Sequence, residues 1–269
     1  MGGSLAFALR GFRDAHIAGA DVWAGACRKA LQSGAVDEAH MDAGSAIERA
    51  DLVILCVYAR DIPRLLKKYR DAFKPGAVVA DICGVKSGLY DQIEDILPQQ
   101  ADYIGIHPMA GKEHGGFDNA DPAIFKDSGF VICPLPATQP RSVEIMREMA
   151  EYIGATRICV STPAEHDGII AYTSGLMHIA AAGLCMDFHE DIDSAFMGGA
   201  FRDCTRVAGA DAAAWAGLLM DNRLNTLGRL DRYIAGLQEI RRCLDEGDDE
   251  ELHNLLKIAR DNKRGVLTR

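Results

Sequence analysis

The sequence predicts an α/β protein with a doubly wound, Rossmann-like parallel sheet that lacks its first strand, followed by an all-α domain. Three observations support this prediction. Short apolar runs alternate with helical stretches up to residue 160, a glycine pair at residues 2–3 leads straight into the first helix, and no convincing strand pattern follows residue 161. Alternating strands and helices are typical of a parallel sheet covered on both faces. We therefore divide the chain into residues 1–160 and residues 161–269.

The elements of the first domain are delimited by Gly and Pro residues and by the period of the apolar residues. Predicted helices cover residues 4–10, 26–33, 62–73, 89–97 and 141–153. Predicted strands cover residues 16–21, 50–57, 77–81, 103–106, 130–133 and 156–160. Within the second strand, residues 52–57 are apolar without interruption, which is typical of a strand buried on both faces.

The second domain shows helical periodicity throughout. Residues 166–187 form one apolar, Ala-rich stretch, residues 213–244 repeat apolar side chains at helical spacing, and residues 250–260 continue this pattern. Apolar helices of this length need a partner to cover them, so we expect the helical domain to form the contact of a homodimer.

Composition restricts the kinds of partner. A net charge of −10 argues against nucleic acid and against an anionic membrane surface as partners. A small anionic substrate could still bind a local cluster of basic side chains. No signal peptide is visible, and charge interrupts the apolar stretches before the roughly 20 residues that a membrane span needs. We therefore expect a cytoplasmic protein.

The eight cysteines include no Cys-x-x-Cys pair. Four of them, Cys56, Cys83, Cys133 and Cys159, lie in strand-like apolar runs, where a free thiol behaves as a small hydrophobe. We expect reduced core thiols, with no disulfide framework and no metal site.

The N-terminal glycines resemble the end of a dinucleotide-binding turn. In a Rossmann-like domain a strand leads into Gly-x-Gly-x-x-Gly, and an acidic residue about 20 positions later accepts a ribose hydroxyl. Here Gly2, Gly3 and Ser4 open the first helix, and Asp21 ends the next predicted strand. The Asp21 carboxylate would favour NAD over NADP, because it repels a 2′-phosphate. A flexible N-terminus and an ordinary strand-end Asp are the alternative interpretation.

The glycine turn is incomplete, because no strand and no earlier glycine precede Gly2. A missing central strand would leave buried backbone groups of its neighbours unpaired, at about 1–3 kcal/mol each. We expect the natural protein to begin upstream, although a rearranged sheet or a damaged relative would also fit.

His107 is the leading candidate for chemistry. It follows the predicted strand at residues 103–106 and precedes Pro108 and a Gly-rich segment, residues 109–116. A strand end followed by rigid turn residues can present a side chain to a cleft, and imidazole transfers protons near neutral pH. A histidine in a surface turn is the alternative.

Several segments together resemble the prephenate and arogenate dehydrogenases of tyrosine biosynthesis, over essentially the whole chain. That family has Gly-Gly-Ser-Leu-Ala at its first helix, an acid-then-Val-Lys segment, His-Pro-Met-Ala-Gly, a helical His-Asp pair, Ser-His-Leu-x-His and Gly-Gly-x-Phe-x-Asp-x-Thr-Arg. The matching segments here are residues 2–6, 81–86, 107–111, 166–167, 174–178 and 198–206. The third and the last are the most specific, because they occur in order on different domains.

The resemblance implies an NAD-dependent oxidoreductase that converts prephenate to 4-hydroxyphenylpyruvate by oxidative decarboxylation, or arogenate to tyrosine. It implies that His107 takes the proton of the ring hydroxyl. Arg206 would hold a carboxylate, His178 would line the pocket from the helical domain, and Lys112 and Glu113 would lie at the rim.

The resemblance also implies a cofactor site. The residues expected there are Gly2, Gly3, Ser4, Asp21, Tyr58 and Gly84. Two departures concern the surroundings of the base: Gly84 stands where the family often has Ser, and Lys112 stands where it often has Thr. A third is Gly175, which replaces the first histidine of the helical pair.

Structural interpretations of the same residues remain open. Arg206 could pair with a nearby carboxylate on a helix surface, His178 could be a core histidine, and His166 is expected to pair locally with Asp167. The whole chain could also be a non-catalytic relative that only binds an anion. A dehydrogenase of small 3-hydroxy acids is disfavoured, because residues 164–187 contain no lysine to act as its acid/base.

Overall fold

The computed structural model describes residues 1–97, 100–112, 115–187 and 192–267, without the side chains of residues 266 and 267. The strands are β1 (Ala18–Ala20), β2 (Glu38–His40), β3 (Leu52–Leu55), β4 (Val78–Asp81), β5 (Asp102–Met109), β6 (Gly129–Pro134) and β7 (Arg157–Val160). The helices are α1 (Gly2–Ala8), α2 (Ala24–Gln32), α3 (Gly44–Ile47), α4 (Ile62–Lys68), α5 (Ser87–Ile93), α6 (Pro140–Tyr152), α7 (Pro163–Ile170), α8 (Leu176–Met186), α9 (Gly199–Thr205), α10 (Ala212–Asp221), α11 (Arg223–Glu246) and α12 (Asp249–Leu267).

The chain forms two compact units, Met1–Asn222 and Arg223–Arg269. The first unit contains all the strands and the helices α1 to α10, and the second contains α11 and α12, which pack against each other. The boundary predicted near residue 160 is a different division, since it separates the sheet from the helices, and it stays a prediction.

The strands form two sheets. β1 and β2 pair in parallel, and the other five strands follow the order β3-β4-β5-β6-β7. In the described part of the chain β1 and β3 are not paired with each other. The predicted fold class, an α/β sheet domain followed by helices, is confirmed.

The prediction of an entirely parallel sheet is wrong at one junction. β5 and β6 run antiparallel, with Ile106 opposite Ile132 and His107 opposite Val131. Among the described residues between them, only the short 3-10 turns Phe117–Asn119 and Pro122–Phe125 occur. A parallel return is usually built around a crossover helix, whereas an antiparallel neighbour needs none.

The five-stranded sheet is covered on both faces because neighbouring residues of a strand point to opposite sides. In β4, Val78 and Ala80 pack with Met146 and Met149 of α6 in one cluster of buried residues. On the other face lies a second cluster of buried residues, which includes Ile47, Leu55, Ile62, Leu66, Tyr69, Phe73, Val79, Leu89, Ile93 and Tyr103. Burial on both faces fixes the sheet as the rigid base of the site.

Helices α7 and α8 continue into each other through a π-helical turn, Ala171–Gly175. By length and composition alone the run Pro163–Met186 could cross a membrane, so the expectation that no stretch reaches this length is wrong. The run holds His166 and Asp167, which are 2% and 1% exposed inside the protein. Ionisable residues are costly within a membrane span, and this pair is buried in the protein at the start of the run, whereas only 22% of the apolar window is buried.

The cysteines follow the sequence expectation in part. All eight are free thiols; Cys83 and Cys133 are buried and Cys56 is half-buried. Cys159 is exposed, so its assignment to the core is wrong. The physical reason is that β7 is the edge strand of the sheet and has neighbouring strand residues on one side only.

Candidate active site

His107 lies within strand β5 rather than just beyond it. The sequence predicted a strand that ends at Ile106, but β6 pairs with β5 as far as Met109 and extends it. The backbone of His107 is therefore held by a neighbouring strand, and its side chain is half-buried between the buried residues Ile106 and Pro108. A side chain mounted on a paired strand is held more rigidly than one on a turn.

A chain of hydrogen bonds leads from His107 into the protein. Nδ1 of His107 lies 2.9 Å from Nε2 of His166, and Nδ1 of His166 lies 2.8 Å from Oδ1 of Asp167. The two imidazole rings meet edge to face, with centroids 5.1 Å apart. Asp167 and His166 thus stand behind His107. The local pairing of His166 with Asp167 agrees with expectation, whereas the contact with His107 was not expected.

Asp167 is itself fixed by the segment that leads into α5. Its Oδ1 accepts the backbone N–H of Lys86 at 2.9 Å, and its Oδ2 accepts that of Ser87 at 2.8 Å. Its own carbonyl oxygen accepts the side-chain amide of Asn222 at 2.8 Å. Burial opposes ionisation, but the hydrogen bonds from His166, Ser87 and Lys86 hold the pKa of Asp167 below its ordinary value. Asp167 is therefore an acceptor anchored between α7 and α5.

A second buried cluster supports the strand beneath the site. Lys86 and Asp81 form an ion pair in which both side chains are 0% exposed. The Lys86 ammonium also donates to the carbonyl oxygen of Ile106 at 2.8 Å. Tyr103 donates its hydroxyl to Oδ2 of Asp81 at 3.1 Å, and Cys83 donates its backbone N–H to Oδ1 at 2.9 Å. Lys86 thus fixes the backbone immediately before His107.

The surroundings of His107 keep its imidazole neutral. Burial, followed by the positive charge of Lys86 and by His166, lowers its pKa to about 3, although Asp167 acts in the opposite direction. A neutral imidazole can accept a proton throughout the physiological pH range.

On the helical side, His178 lies close to Trp215 and to Arg206. The imidazole of His178, on α8, stacks on the ring of Trp215, on α10, with centroids 3.3 Å apart. Burial lowers the pKa of His178; a hydrogen bond with the Val207 backbone raises it, and the nearby charge of Arg206 lowers it. Arg206 is exposed and follows α9 directly. His178 is half-buried against Trp215, so both the packing and the pocket interpretations fit it.

Helix α10 connects the two groups of residues. A Cβ placed on Gly84 would lie 3.2 Å from the side chain of Leu218 and 3.8 Å from Cε1 of His107. Leu218 lies three positions after Trp215, on the same face of α10. Gly84 thus lies near both His107 and Leu218, and Leu218 shares a face of α10 with Trp215, on which His178 stacks.

Four of the predicted cofactor residues lie at the start of α1 and after the strands β1 and β3. Gly2 and Gly3 begin α1, Asp21 follows β1 and Tyr58 follows β3, with Tyr58 55% exposed. Asp21 is exposed, and its Oδ1 accepts the backbone N–H of Trp23 at 2.8 Å.

Ser4 and Gly84 differ from the other predicted cofactor residues. Ser4 is 3% exposed, and its hydroxyl accepts the N–H of Asp121 at 3.0 Å, so only its backbone could face a phosphate. Gly84 lies beside His107 rather than beside the glycines of α1.

The predicted rim residues are less informative. Lys112 pairs with Asp121 at 2.9 Å, with each side chain 40% exposed. Glu113 lies outside the described residues. The roles of Lys112, Glu113, Arg206 and His178 toward a substrate stay predictions.

Sequence reasoning gave His166, Asp167 and Lys86 no role in the site. Motif matches marked all three, at residues 81–86 and 166–167. Spacing alone did not predict their roles, because the contacts of α7 with β5 and with the start of α5 join positions about 60 and 80 residues apart.

Known proteins share both halves of the chain. The family model for the prephenate dehydrogenase nucleotide-binding domain matches residues 5–159, and the one for the prephenate dehydrogenase dimerization domain matches residues 162–258. The prephenate dehydrogenase of Bacillus subtilis (strain 168) is 27% identical over 273 residues, which cover 99% of this chain and 73% of that protein.

Solved structures are similar over nearly the whole chain. Prephenate dehydrogenase from A. aeolicus, in complex with hydroxyphenyl propionate and NAD⁺, gives a TM-score of 0.87 at 25% identity and covers 98% of this chain and 94% of that one. Synechocystis arogenate dehydrogenase gives a TM-score of 0.81 at 28% identity and covers 98% and 95%. With both domain models matched in order along its length, the chain belongs to the prephenate dehydrogenase family.

Proposed function

We propose that this chain oxidises prephenate with NAD and releases carbon dioxide and 4-hydroxyphenylpyruvate. Arogenate, which would yield tyrosine, is the second candidate substrate, because relatives of both kinds are similar to this chain. The observation that carries the proposal is the neutral imidazole of His107, bound to His166 through Nδ1 while its other edge lies beside Gly84 and α10. Because His107 is present and held in place by His166, we favour an enzyme over a non-catalytic relative that only binds an anion.

The chemistry requires three coordinated events. The hydroxyl proton passes to His107, the hydrogen on the same ring carbon leaves with its electron pair, and the bond to the ring carboxylate breaks so that its electrons restore the aromatic ring. NAD, when bound, supplies the acceptor for the hydride. His107 and the groups that hold it provide orientation, which contributes a large part of such rate accelerations.

A pKa of about 3 is compatible with this role of His107. Loss of hydride from an alcohol carbon leaves a protonated carbonyl, which is a far stronger acid than an imidazolium with that pKa. Proton transfer is therefore downhill once the hydride has begun to move. Before that point a neutral imidazole need only accept a hydrogen bond, which orients the hydroxyl.

The residues near the N-terminus fit a dinucleotide. A Cβ on Gly2 would lie 3.2 Å from Cβ of Cys56, and a Cβ on Gly3 would lie 2.9 Å from the Phe117 ring, so the start of α1 packs closely only with glycine. No described side chain caps α1, which leaves its first backbone N–H groups for a diphosphate. Asp21 at the end of β1 would bind the ribose and favour NAD over NADP.

Arg206 is proposed to bind a carboxylate of the substrate. The turn Arg206–Gly209 packs against α8, the helix that carries His178, which supports a place for Arg206 near that ring. A planar guanidinium binds carboxylates through two parallel hydrogen bonds. With His107 at the ring hydroxyl and Arg206 at a carboxylate, one substituted cyclohexadiene would be held at two points.

The test is an assay of cofactor reduction with purified protein. We expect NADH to form with prephenate, arogenate or both, together with the matching aromatic product and one equivalent of carbon dioxide. We expect NADP to be used less efficiently. Absence of NADH formation with both substrates, in a folded protein that binds NAD, would contradict the proposal.

The same proposal includes a homodimer. The second compact unit exposes large apolar side chains on both of its helices: Leu224, Leu227, Tyr233, Ile234, Leu237, Leu244, Leu256 and Ile258. The matching family model is described as a dimerization domain. If the protein sedimented as a monomer at micromolar concentration, the proposal of a homodimer would be contradicted, but the proposed reaction would not.

A further inference from the structure

We infer that His166 and Asp167 are positioning residues that hold His107 in one tautomer, with hydrogen on Nδ1, so that Nε2 is the atom that accepts the substrate proton. This inference deepens the proposed function and rests on it only for the identity of the proton donor. The tautomer itself is a property of the protein alone.

The direction of the hydrogen-bond chain starts at Asp167. Its Oδ1 accepts Lys86 N–H at 2.9 Å and lies 2.8 Å from Nδ1 of His166, while its Oδ2 accepts Ser87 N–H at 2.8 Å. A carboxyl group that receives these donors is ionised and can only accept. The proton between Asp167 and His166 therefore belongs to Nδ1 of His166.

The second step follows from the single proton of a neutral imidazole. With Nδ1 protonated, Nε2 of His166 presents a lone pair to Nδ1 of His107 at 2.9 Å. Two lone pairs would repel each other at this distance, so Nδ1 of His107 carries the hydrogen. Nε2 of His107 is then the unprotonated nitrogen.

The free lone pair points to the proposed reaction site. A Cβ on Gly84 would lie 3.9 Å from Nε2 of His107 and 3.2 Å from Leu218 on α10. Nε2 therefore faces the side of the sheet where the residues of the helical part approach. The opposite edge of the ring is occupied by His166, which is 2% exposed and keeps water from Nδ1.

The opposite protonation state would disable the base. If His166 carried two protons, its Nε2–H would donate to His107, and the single proton of His107 would move to Nε2. The ring would then offer the substrate hydroxyl a donor instead of an acceptor. After proton transfer, by contrast, the proposed arrangement places the imidazolium of His107 in line with the Asp167 carboxylate through His166, which stabilises it.

The first experiment reads the tautomer directly. The full-length protein labelled with ¹⁵N in its histidines is studied by NMR at neutral pH, with His107→Gln identifying the His107 resonances. We expect a protonated Nδ1 and an unprotonated Nε2 in His107. Hydrogen on Nε2 would overturn the inference, whether or not the protein oxidises prephenate.

The second experiment compares two replacements of His166. Leucine removes the acceptor from Nδ1 of His107, and we expect kcat to fall about 10²-fold with little change in the KM for substrate. The side-chain oxygen of glutamine can still accept from His107 Nδ1, so His166→Gln should recover activity to within about tenfold of the parent. His253→Gln, at an exposed histidine of α12, is the matched control for the substitution itself.

These outcomes separate the inference from the proposed function. Unchanged kcat in a folded His166→Leu protein, or equal losses in the Leu and Gln variants, would overturn the positioning role. If the parent oxidises neither prephenate nor arogenate, the proposed function fails, and the NMR spectra still decide the tautomer.

Discussion

Replacing Lys86 with Met should destabilise the protein by about 3–5 kcal/mol, because it removes one partner of a buried ion pair. Both side chains of the pair are 0% exposed. Met nearly matches the volume of Lys, so little of the loss comes from a cavity. Among the described residues, Asp81 would keep the Cys83 N–H and the Tyr103 hydroxyl as donors, and the Ile106 carbonyl would lose the ammonium.

Urea unfolding of four proteins measures this loss: the parent, Lys86→Met, Asp81→Asn and the double variant. The one side-chain oxygen of asparagine can still accept from Cys83, and its amide NH2 can donate to the Tyr103 hydroxyl oxygen, so the double variant carries no unpaired buried charge. We expect it to be more stable than the sum of the two single losses predicts, by at least about 1 kcal/mol.

Lys68→Met is the matched control for the loss of a lysine. Lys68 pairs with Asp42, but the two side chains are 56% and 64% exposed, so solvent screens the pair and little change is expected. Equal losses in Lys86→Met and Lys68→Met, or strict additivity in the four-protein cycle, would refute the argument that the buried pair is coupled.

Three further predictions concern the site. His107→Asn should lower kcat about 10²–10⁴-fold in the NADH assay, since it removes the proposed base, and full activity would exclude His107 from the chemistry. Arg206→Gln should mainly raise the KM for substrate, and an unchanged KM would make Arg206 structural. Because the pKa of His107 is lowered from 6.5 to about 3, the unfolded chain binds more protons than the folded protein between these values. The contribution of neutral His107 to the free energy of unfolding is therefore complete above pH 6.5 and falls as the pH is lowered, by at most about 1.4 kcal/mol per pH unit. The free energy of unfolding of His107→Asn should consequently decrease less steeply with acid.

Local patterns predicted the elements well but not their partners. The apolar run around β4 and the turn residues on either side of it specify a buried strand, and the structure has one at Val78–Asp81. The short strand β2, Glu38–His40, was missed because it is neither apolar nor alternating and forms only beside β1. The direction of β6 was missed for a related reason, since strand direction depends on the connection between strands rather than on either strand.

The same limit applies to the site. Sequence singled out His107 because a His before Pro is conspicuous, and it singled out Arg206 through a motif. It gave Lys86 no role, because nothing in the local sequence shows that a lysine three positions after Cys83 will be fully buried. The contacts of His166 depend on how α7 lies against the sheet, which is a tertiary property. Sequence therefore singled out the proposed base but not the residues that hold it.

Lys86 affects both the stability of the protein and the pKa of His107. Its replacement should lower the first and raise the second, so the two effects can be distinguished. Its ammonium is the second-largest cause, after burial, of the lowered pKa of His107. Lys86→Met should therefore raise the pKa of His107 while lowering stability, whereas Lys68→Met removes an exposed lysine that does not act on His107 and should leave that pKa low. An NMR titration of His107 in the two variants tests this. A pKa that stays equally low in Lys86→Met would mean that burial alone keeps the base neutral and that Lys86 only holds the strand.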